Sequence, residues 1–312
     1  MDLGVQIEPQ FGFSYADVLG IAREAEGAGF RTLWVSDHLF LGADAVATDC
    51  LEAWTLLAAL AVDTKKIRLG PMVTSQSYRN PALLAKIAAG VDQISGGRLE
   101  FGIGAGWKEV EYKAYGYEFP DAPTRVTQLV ETLEICTRLW TEPKATYRGK
   151  HYRIEDAVCA PKPVQKPLPI WIGGTMPRVM RIAAKYAQWF NMSDPGQPAE
   201  SRIAELNTAL PEACKAVGRD VATLKRSLFI QVLVAPTRRE TLEIAAELGS
   251  RVKTSGAEWL KARAAMIVGT PDEVGERLRA IAAAGIDHAN VMFPYRFEVA
   301  GVRALRDVAR TL

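Results

Sequence analysis

The sequence predicts a (β/α)8 barrel of the TIM type, a single domain over residues 1–312 with an inserted segment near residues 141–168. Three observations lead there. Short apolar runs alternate with amphipathic helical runs, and eight such strand–helix pairs can be counted. Two distant joints, "AGFRTLWV" and "AGIDHANVM", share one grammar: a helix stops at glycine and the chain enters a strand through an apolar residue. The length of 312 residues suits one such barrel. A doubly wound sheet is the competing arrangement, but it calls for a second domain, and no linker for one is visible.

The first expected strand is "LGVQIE" (3–8). Ser14 then has the character of an N-cap with Asp17 three residues on, and Val18, Ala22 and Ala25 keep helical spacing up to Gly29. "TLWVSD" (32–37) follows as a strand, 51–63 as a helix, "IRLGPMVT" (67–74) as a strand and 81–94 as an alanine-rich helix. "LEFGIG" (99–104) is the fourth strand, and 122–140 a long amphipathic helix. The inserted segment holds "TYRGKHYRI", a hairpin turning at Gly149–Lys150, and a proline-rich return. The rhythm resumes with "PIWIGG" (169–174), a helix from about Pro177, "QWFNMS" (188–193) and a helix over 198–217. "SLFIQVLV" (227–234) precedes helical stretches at 237–249 and 256–266. In "TPDEV", Thr270 is the N-cap, Pro271 takes the first helical position and Glu273 closes the capping box. This helix leads into the last strand within "AAAGIDHANVMF", and a terminal helix covers 300–310.

Composition narrows the function classes. A net charge of +2 offers no basis for nucleic acid or an anionic membrane as a partner. No apolar run approaches the ~18–20 residues that cross a bilayer, and the N-terminus lacks the marks of a signal peptide, so the expected location is the cytoplasm. Cys50, Cys136, Cys159 and Cys214 are scattered without C-x-x-C spacing, as expected of separate thiols in a reducing compartment.

In such a barrel the active site forms where the strands end. Those ends read Ser36-Asp37-His38, Thr74-Ser75-Gln76-Ser77, Gly104-Ala105-Gly106-Trp107, Gly173-Gly174-Thr175 and Asn191-Met192-Ser193, so polar and glycine residues converge on one face. Of the three histidines, His288 enters the last strand on the stability face and His151 lies in the hairpin, where it is expected to be solvated. His38 stands at a catalytic end beside Asp37, with helix capping as its bland alternative. Gly102, Gly104 and Gly106 alternate along a strand end and leave room for something flat and wide, bordered by Trp107. Trp107 holds the slot of the third glycine of a dinucleotide loop, so the run is not a dinucleotide fingerprint. Gly173-Gly174-Thr175, passing from strand to helix, offers free backbone N–H groups and a hydroxyl to a phosphate.

Other chemistries fit less well. No H-x-x-x-H or H-E-x-x-H occurs, so no metal site is expected, and the G-x-S-x-G elbow of a serine nucleophile is missing. A glycosidase needs two carboxylates at strand ends, for which Glu8 and Asp37 are the only offer. A large planar phosphorylated ligand suits the residues best.

At these residues a resemblance emerges. "GFRTLWVSDHLF" (29–40), "CLEAWTLLAALA" (50–61), "IRLGPMVTSQSYRNPALLAK" (67–86), "DQISGGRLEFGIGAGWKEVEYKAYG" (92–116) and "PIWIGGTMPRVMRIAAKYAQWFN" (169–191) resemble the luciferase-like monooxygenase superfamily, and within it the branch using the deazaflavin coenzyme F-420. The likeness runs in order over most of the first 190 residues; the last third is similar only in rhythm. It implies a single luciferase-like barrel holding an isoalloxazine-like ring across the strand ends. It further implies a non-proline cis peptide within Met72-Val73-Thr74, behind the ring. Gly104, Ala105 and Gly106 would let the ring approach the backbone, and Gly173, Gly174 and Thr175 would take the phosphate. Asp37 would contact the pyrimidine side of the ring, and His38 would be the acid/base residue.

Ser-Asp-His and "GAGW" are similar to deazaflavin users, which transfer hydride; reduced FMN would instead imply oxygen activation and a partner flavin reductase. A non-catalytic flavin-binding protein on the same barrel is the alternative from another class. The substrate is expected to be a small molecule, with Trp54, Trp107 and Tyr112 lining an apolar pocket and Glu52 orienting a polar group; barrel packing is the competing role for the aromatic residues. Lys108, Lys113 and Arg178 are offered to an acidic cofactor tail or to solvent. The resemblance also implies a homodimer.

Overall fold

The expected strands and helices form in the expected order, in a computed structural model that describes residues 1–193 and 196–312. The first half runs β1 (Asp2–Ile7), α1 (Tyr15–Ala28), β2 (Thr32–Val35), α2 (Ala53–Asp63), β3 (Arg68–Pro71), β4 (Thr74–Ser75), α3 (Pro81–Ser95), β5 (Phe101–Gly104), α4 (Glu109–Tyr115) and α5 (Ala122–Thr141). A hairpin of β6 (Ala145–Arg148) and β7 (Arg153–Ala157) follows. The second half runs β8 (Ile170–Gly173), α6 (Pro177–Tyr186), β9 (Trp189–Met192), α7 (Ala199–Lys215), β10 (Lys225–Val234), α8 (Arg238–Arg251), α9 (Gly256–Lys261), β11 (Ile267–Gly269), α10 (Pro271–Ala283), β12 (His288–Met292), α11 (Glu298–Ala304) and α12 (Arg306–Thr311).

Local chemistry sets several boundaries. The Ser14–Asp17 capping box opens α1, and Gly29 closes it at φ 91°, where a side chain would be strained. Thr270 and Glu273 form the second expected box, with Pro271 in the first turn. Such caps satisfy N–H groups that the helix itself leaves unpaired, each contributing about 1 kcal/mol.

The parallel strands pair in the order β3-β2-β1-β12-β10-β9-β8-β5-β4. Leu69 bridges Leu99 in parallel, so β3 also touches the β5 side and the sheet curls into a nearly closed barrel. Strands β3 and β4 are the two halves of one stave. The expected continuous strand over 67–74 is interrupted at the cis peptide Met72–Val73. The apolar faces of the helices and the outward faces of the strands form one continuous core.

Three elements differ from expectation. Helix α4 follows the fourth stave, where no helix was expected, and β11 pairs with the end of β10 as an additional parallel strand. The terminal helix is divided near Leu305 into α11 and α12. In the inserted segment β6 and β7 are antiparallel, as expected. Their turn is held by Glu131 of α5, whose carboxylate accepts from the backbone N–H groups of Lys150, His151 and Tyr152. His151 is therefore half-buried, with its Nε2 shielded from water, instead of solvated.

Inward residues recur every second position along each strand. Trp34, Trp171 and Trp189 form a buried layer across the barrel, with Trp171 and Trp189 stacked at 4.2 Å and 3°. Glu100 accepts from the Trp171 Nε1 and pairs with Arg31 and Arg68. His288 completes this floor, 2.8 Å from the Thr32 hydroxyl and 3.0 Å from that of Ser227. Burial pushes its pKa down to about 3, so it is neutral and structural, as its place on the stability face implied.

Candidate active site

Two residues beyond the floor, on the same inward faces, the chain becomes polar or small: Ser36 follows Trp34, Gly173 follows Trp171 and Asn191 follows Trp189. These positions bound a cavity of about 620 Å³ at the C-terminal ends of the strands. Its wall brings together Asp37, His38, Met72, Val73, Gly104, Ala105, Gly106, Trp107, Gly173, Gly174 and Thr175. Thr74, Glu52 and Trp54 do not reach it.

His38 is placed by a partner that sequence spacing gave no reason to choose. Its Nδ1 lies 3.0 Å from the Glu111 carboxylate, carried on α4. Tyr78 donates to the same carboxylate at 2.7 Å, and the Leu39 N–H at 2.9 Å. Burial pushes the Glu111 pKa up, but hydrogen bonds with His38 and Tyr78 outweigh it and hold the group at about 2. Glu111 is thus a fixed anion that orients the imidazole and leaves Nε2 as the nitrogen available for chemistry. Trp107 meets the His38 ring edge to face at 5.7 Å.

Asp37, the neighbour of His38, turns to the scaffold. Arg79 holds it through two bonds of 2.7 and 3.0 Å, Thr74 donates to it at 2.5 Å, and Arg79 also binds Glu52. Trp54 Nε1 donates to Thr74 Oγ1 at 3.1 Å. Glu52 also caps α2 through the Thr55 N–H. Thr74, Glu52 and Trp54 therefore form a brace behind the cavity. The pairing also commits one of the two carboxylates that a glycosidase would need.

The glycines serve the bulge first. A Cβ on Gly102 would fall 2.0 Å from the Pro71 carbonyl oxygen, and one on Gly104 would fall 2.7 Å from Val73 Cγ2. A Cβ on Gly106 would strike the Tyr112 hydroxyl at 1.8 Å, and its φ of 77° favours glycine in any case. The room they leave is filled by the Met72–Val73 segment and by Tyr112, which is wholly buried and 2.7 Å from Ser75 Oγ. Tyr112 is a support beneath the cavity and does not line it.

At the other side, Gly174 adopts φ 152° before α6, whose N-terminus has no side-chain cap. The N–H groups here are fewer than the sequence led us to expect: that of Gly174 is bonded to the Asn191 carbonyl at 3.2 Å, that of Val179 to the Met176 carbonyl at 2.9 Å, and Pro177 has none, so this corner offers a phosphate the positive end of the α6 dipole and the Thr175 hydroxyl. The offered cations are otherwise engaged. Lys108 donates to the Phe40 and Leu41 carbonyls and to Glu111, Lys113 pairs with Glu109, and Arg178 binds Pro123 O and Thr127 Oγ1. Among the described residues no group of three or more His, Cys, Asp or Glu is placed to hold a metal ion. None of their helices is long and apolar enough to cross a membrane.

Known proteins share this architecture. The family model for luciferase-like monooxygenase matches residues 1–288. An F-420-dependent glucose-6-phosphate dehydrogenase from Amycolatopsis mediterranei (strain U-32) is 26% identical over 295 residues, spanning 88% of each chain. An FMNH(2)-dependent dimethylsulfone monooxygenase from Pseudomonas putida is also 26% identical, over 298 residues, covering 86% of this chain and 80% of that one. Among solved structures, an F-420-dependent secondary alcohol dehydrogenase in complex with an F-420–acetone adduct superposes with a TM-score of 0.81 at 21% identity. That match covers 98% of this chain and 97% of the other. With the family model spanning nearly the whole barrel, the chain belongs to the luciferase-like monooxygenase family and is an oxidoreductase enzyme.

Proposed function

We propose that the protein transfers a hydride between the deazaflavin coenzyme F-420 and a small organic substrate. The observation that carries this reading is His38 on the cavity wall, oriented by the permanently charged Glu111. A protein that only stored its ligand would have no use for an acid/base residue so held. The choice of coenzyme leans on the similarity to dehydrogenases named for F-420.

Gly173, Gly174 and Thr175 would hold the coenzyme phosphate, and the Met72–Val73 bulge with Gly104, Ala105 and Gly106 would back the ring. When bound, the deazaflavin supplies a two-electron hydride couple that reacts poorly with oxygen. The protein contributes placement. His38 Nε2 exchanges a proton with the substrate oxygen, Asp37 keeps Arg79 and the 74–75 segment in register, and Trp107 packs edge to face against the His38 ring.

FMN is the second reading, favoured by the similarity to an FMNH(2)-dependent monooxygenase. It would bring oxygen chemistry and a partner flavin reductase. Paired fluorescence titrations with F-420 and FMN decide between them. Saturable F-420 binding with weak FMN binding supports hydride transfer, and the reverse preference overturns the coenzyme assignment.

The protein acts in the cytoplasm, in keeping with four free thiols, and pairs with a second copy of itself. The apolar side chains of Val62, Leu83 and Ile94, exposed on the adjacent helices α2 and α3, supply a surface for that pairing. Sedimentation of a Leu83→Glu/Ile94→Glu variant as a monomer, against a dimeric parent, tests it.

A further inference from the structure

Glu111 holds more than the His38 imidazole. His38 Nδ1 lies 3.0 Å from its Oε2, and Tyr78 donates to the same oxygen at 2.7 Å, while the Lys108 ammonium donates to Oε1 at 3.1 Å. Lys108 stands just before α4 and Glu111 inside its first turn, so the two charges meet at the i,i+3 spacing of a helix. The Glu111 side chain is fully buried and that of Lys108 is 15% exposed, so water and salt screen the pair weakly. The remaining donors of Lys108 go to Phe40 O at 2.6 Å and Leu41 O at 3.0 Å. Glu111 accepts in turn from the N–H groups of Leu39 and Phe40 at 2.9 and 3.4 Å. The pair therefore brackets the segment that carries His38, with the carboxylate on its amides and the ammonium on its carbonyls.

Holding two carbonyls requires donors but no charge. A neutral side chain such as glutamine would do it without the cost of desolvating an ammonium. What the ammonium adds is its effect on the shared carboxylate. A carboxylate beside an imidazole favours the protonated ring, and a cation on the same carboxylate opposes it. Among the described residues Lys108 is the only side-chain cation besides the imidazole itself on Glu111. The other groups around His38 are neutral or committed elsewhere. Burial and Glu111 push up both the Tyr78 hydroxyl and the Cys50 thiol, the latter to about 11, and Cys50 Sγ donates to His38 O. Asp37 is paired with Arg79, which also binds Glu52, and Trp107 meets the ring without charge. Farther along the cavity wall, Glu8 accepts from Gln6 and Gln10, and Arg125 donates to Gly106 O and Pro120 O.

We propose that Lys108 is a positioning residue that sets the proton affinity of His38. By sharing Glu111 it offsets the pull of the carboxylate on an imidazolium proton, so the ring can release a proton as well as take one. The use of that proton in turnover rests on the function proposed above; the charge coupling itself does not.

The test follows the Cε1–H resonance of His38 by NMR through a pH titration of the full-length protein, without coenzyme or substrate. The chain has three histidines, and the signal lost in His38→Ala assigns the one in question. Lys108→Met and Lys108→Gln are each expected to raise the His38 midpoint by about one pH unit, and Lys108→Arg to hold it within about 0.3 of the parent. The glutamine side chain keeps amide donors for the two carbonyls, so a rise shared by both neutral variants reports the charge and not loss of the bracket. An unchanged or lowered midpoint in either neutral variant, or a rise in Lys108→Arg equal to that in Lys108→Met, overturns the proposal. The signal of the buried His288 marks each variant as folded. Because no coenzyme is present, failure of both F-420 and FMN to bind would sink the functional reading and leave this coupling standing.

Discussion

Nδ1 of His38 lies 3.0 Å from the carboxylate of Glu111, a residue 73 positions further along the chain. One nitrogen of the imidazole is thereby spoken for, and the opposite one is left to the cavity. His38→Ala is expected to lower turnover by about 10²–10⁴-fold, the usual contribution of a positioned acid/base group, while coenzyme affinity stays within about twofold. Glu111→Gln keeps the shape and removes the charge, so it should lower turnover by less. Steady-state kinetics beside coenzyme titration check both. Unchanged turnover in His38→Ala would remove the assigned role.

The ion pair behind His38 gives a stability prediction. Asp37 is 5% exposed and depends on Arg79 for its compensation. Arg79→Met should destabilise the fold by about 3–5 kcal/mol, because it leaves a buried charge alone. Asp37→Asn combined with Arg79→Met should recover a large part of that loss. Urea denaturation of the three variants measures the coupling.

The glycines should separate by what stands in their way. Gly102→Ala drives a methyl into the Pro71 carbonyl, backbone that cannot turn aside, and should cost about 3 kcal/mol or more. Gly104→Ala meets a Val73 methyl and should cost less. Gly90→Ala, within α3 and with nothing within 4 Å, should stabilise by about 0.5–1 kcal/mol. Thermal melts of the three rank them directly.

Acid should act on the floor before it acts on the site. His288 binds its proton in the folded state only near pH 3, against 6.5 in its ordinary range. The unfolded chain therefore takes up the proton first, and stability present above pH 6.5 falls as pH drops toward 3, by about 1.4 kcal/mol per unit. Glu111, lowered from 4.5 to about 2, adds a later loss between those values. His288→Gln should flatten the stability curve between pH 6.5 and 4.5 and leave the steeper acid limb in place. Denaturation midpoints measured across that range test the order.

Much of the barrel is legible locally. Ser14, Gly29, Thr270 and Pro271 mark helix ends by their own chemistry, and period-two and helical spacing supply the rest. Helix α4 escaped because Lys108 makes no side-chain cap and the helix has only seven residues, too few for a periodic signal. Strand β11, with three residues, is shorter still. With α4 unrecognised, Glu111 had no place at the site. The Asp37–Arg79 pair is likewise invisible to spacing, since 42 positions separate its members. The glycine run was recognised, but which neighbour fills each gap is a property of adjacent staves. Trp54 and Glu52 show the limit from the other side: their residue types suited a pocket, and packing made them its brace.

The tryptophan layer of Trp34, Trp171 and Trp189 seals the barrel below the cavity, with exposures of 0%, 0% and 4%. Among the described residues, whatever binds above it is closed off from the floor side. On the proposed seating, with the coenzyme against the bulge, the coenzyme should arrive before the substrate that lies over it, and product should depart before the coenzyme. The expected traffic is then sequential, last in and first out, an order that product-inhibition kinetics would read and that three indoles outside the cavity wall would impose.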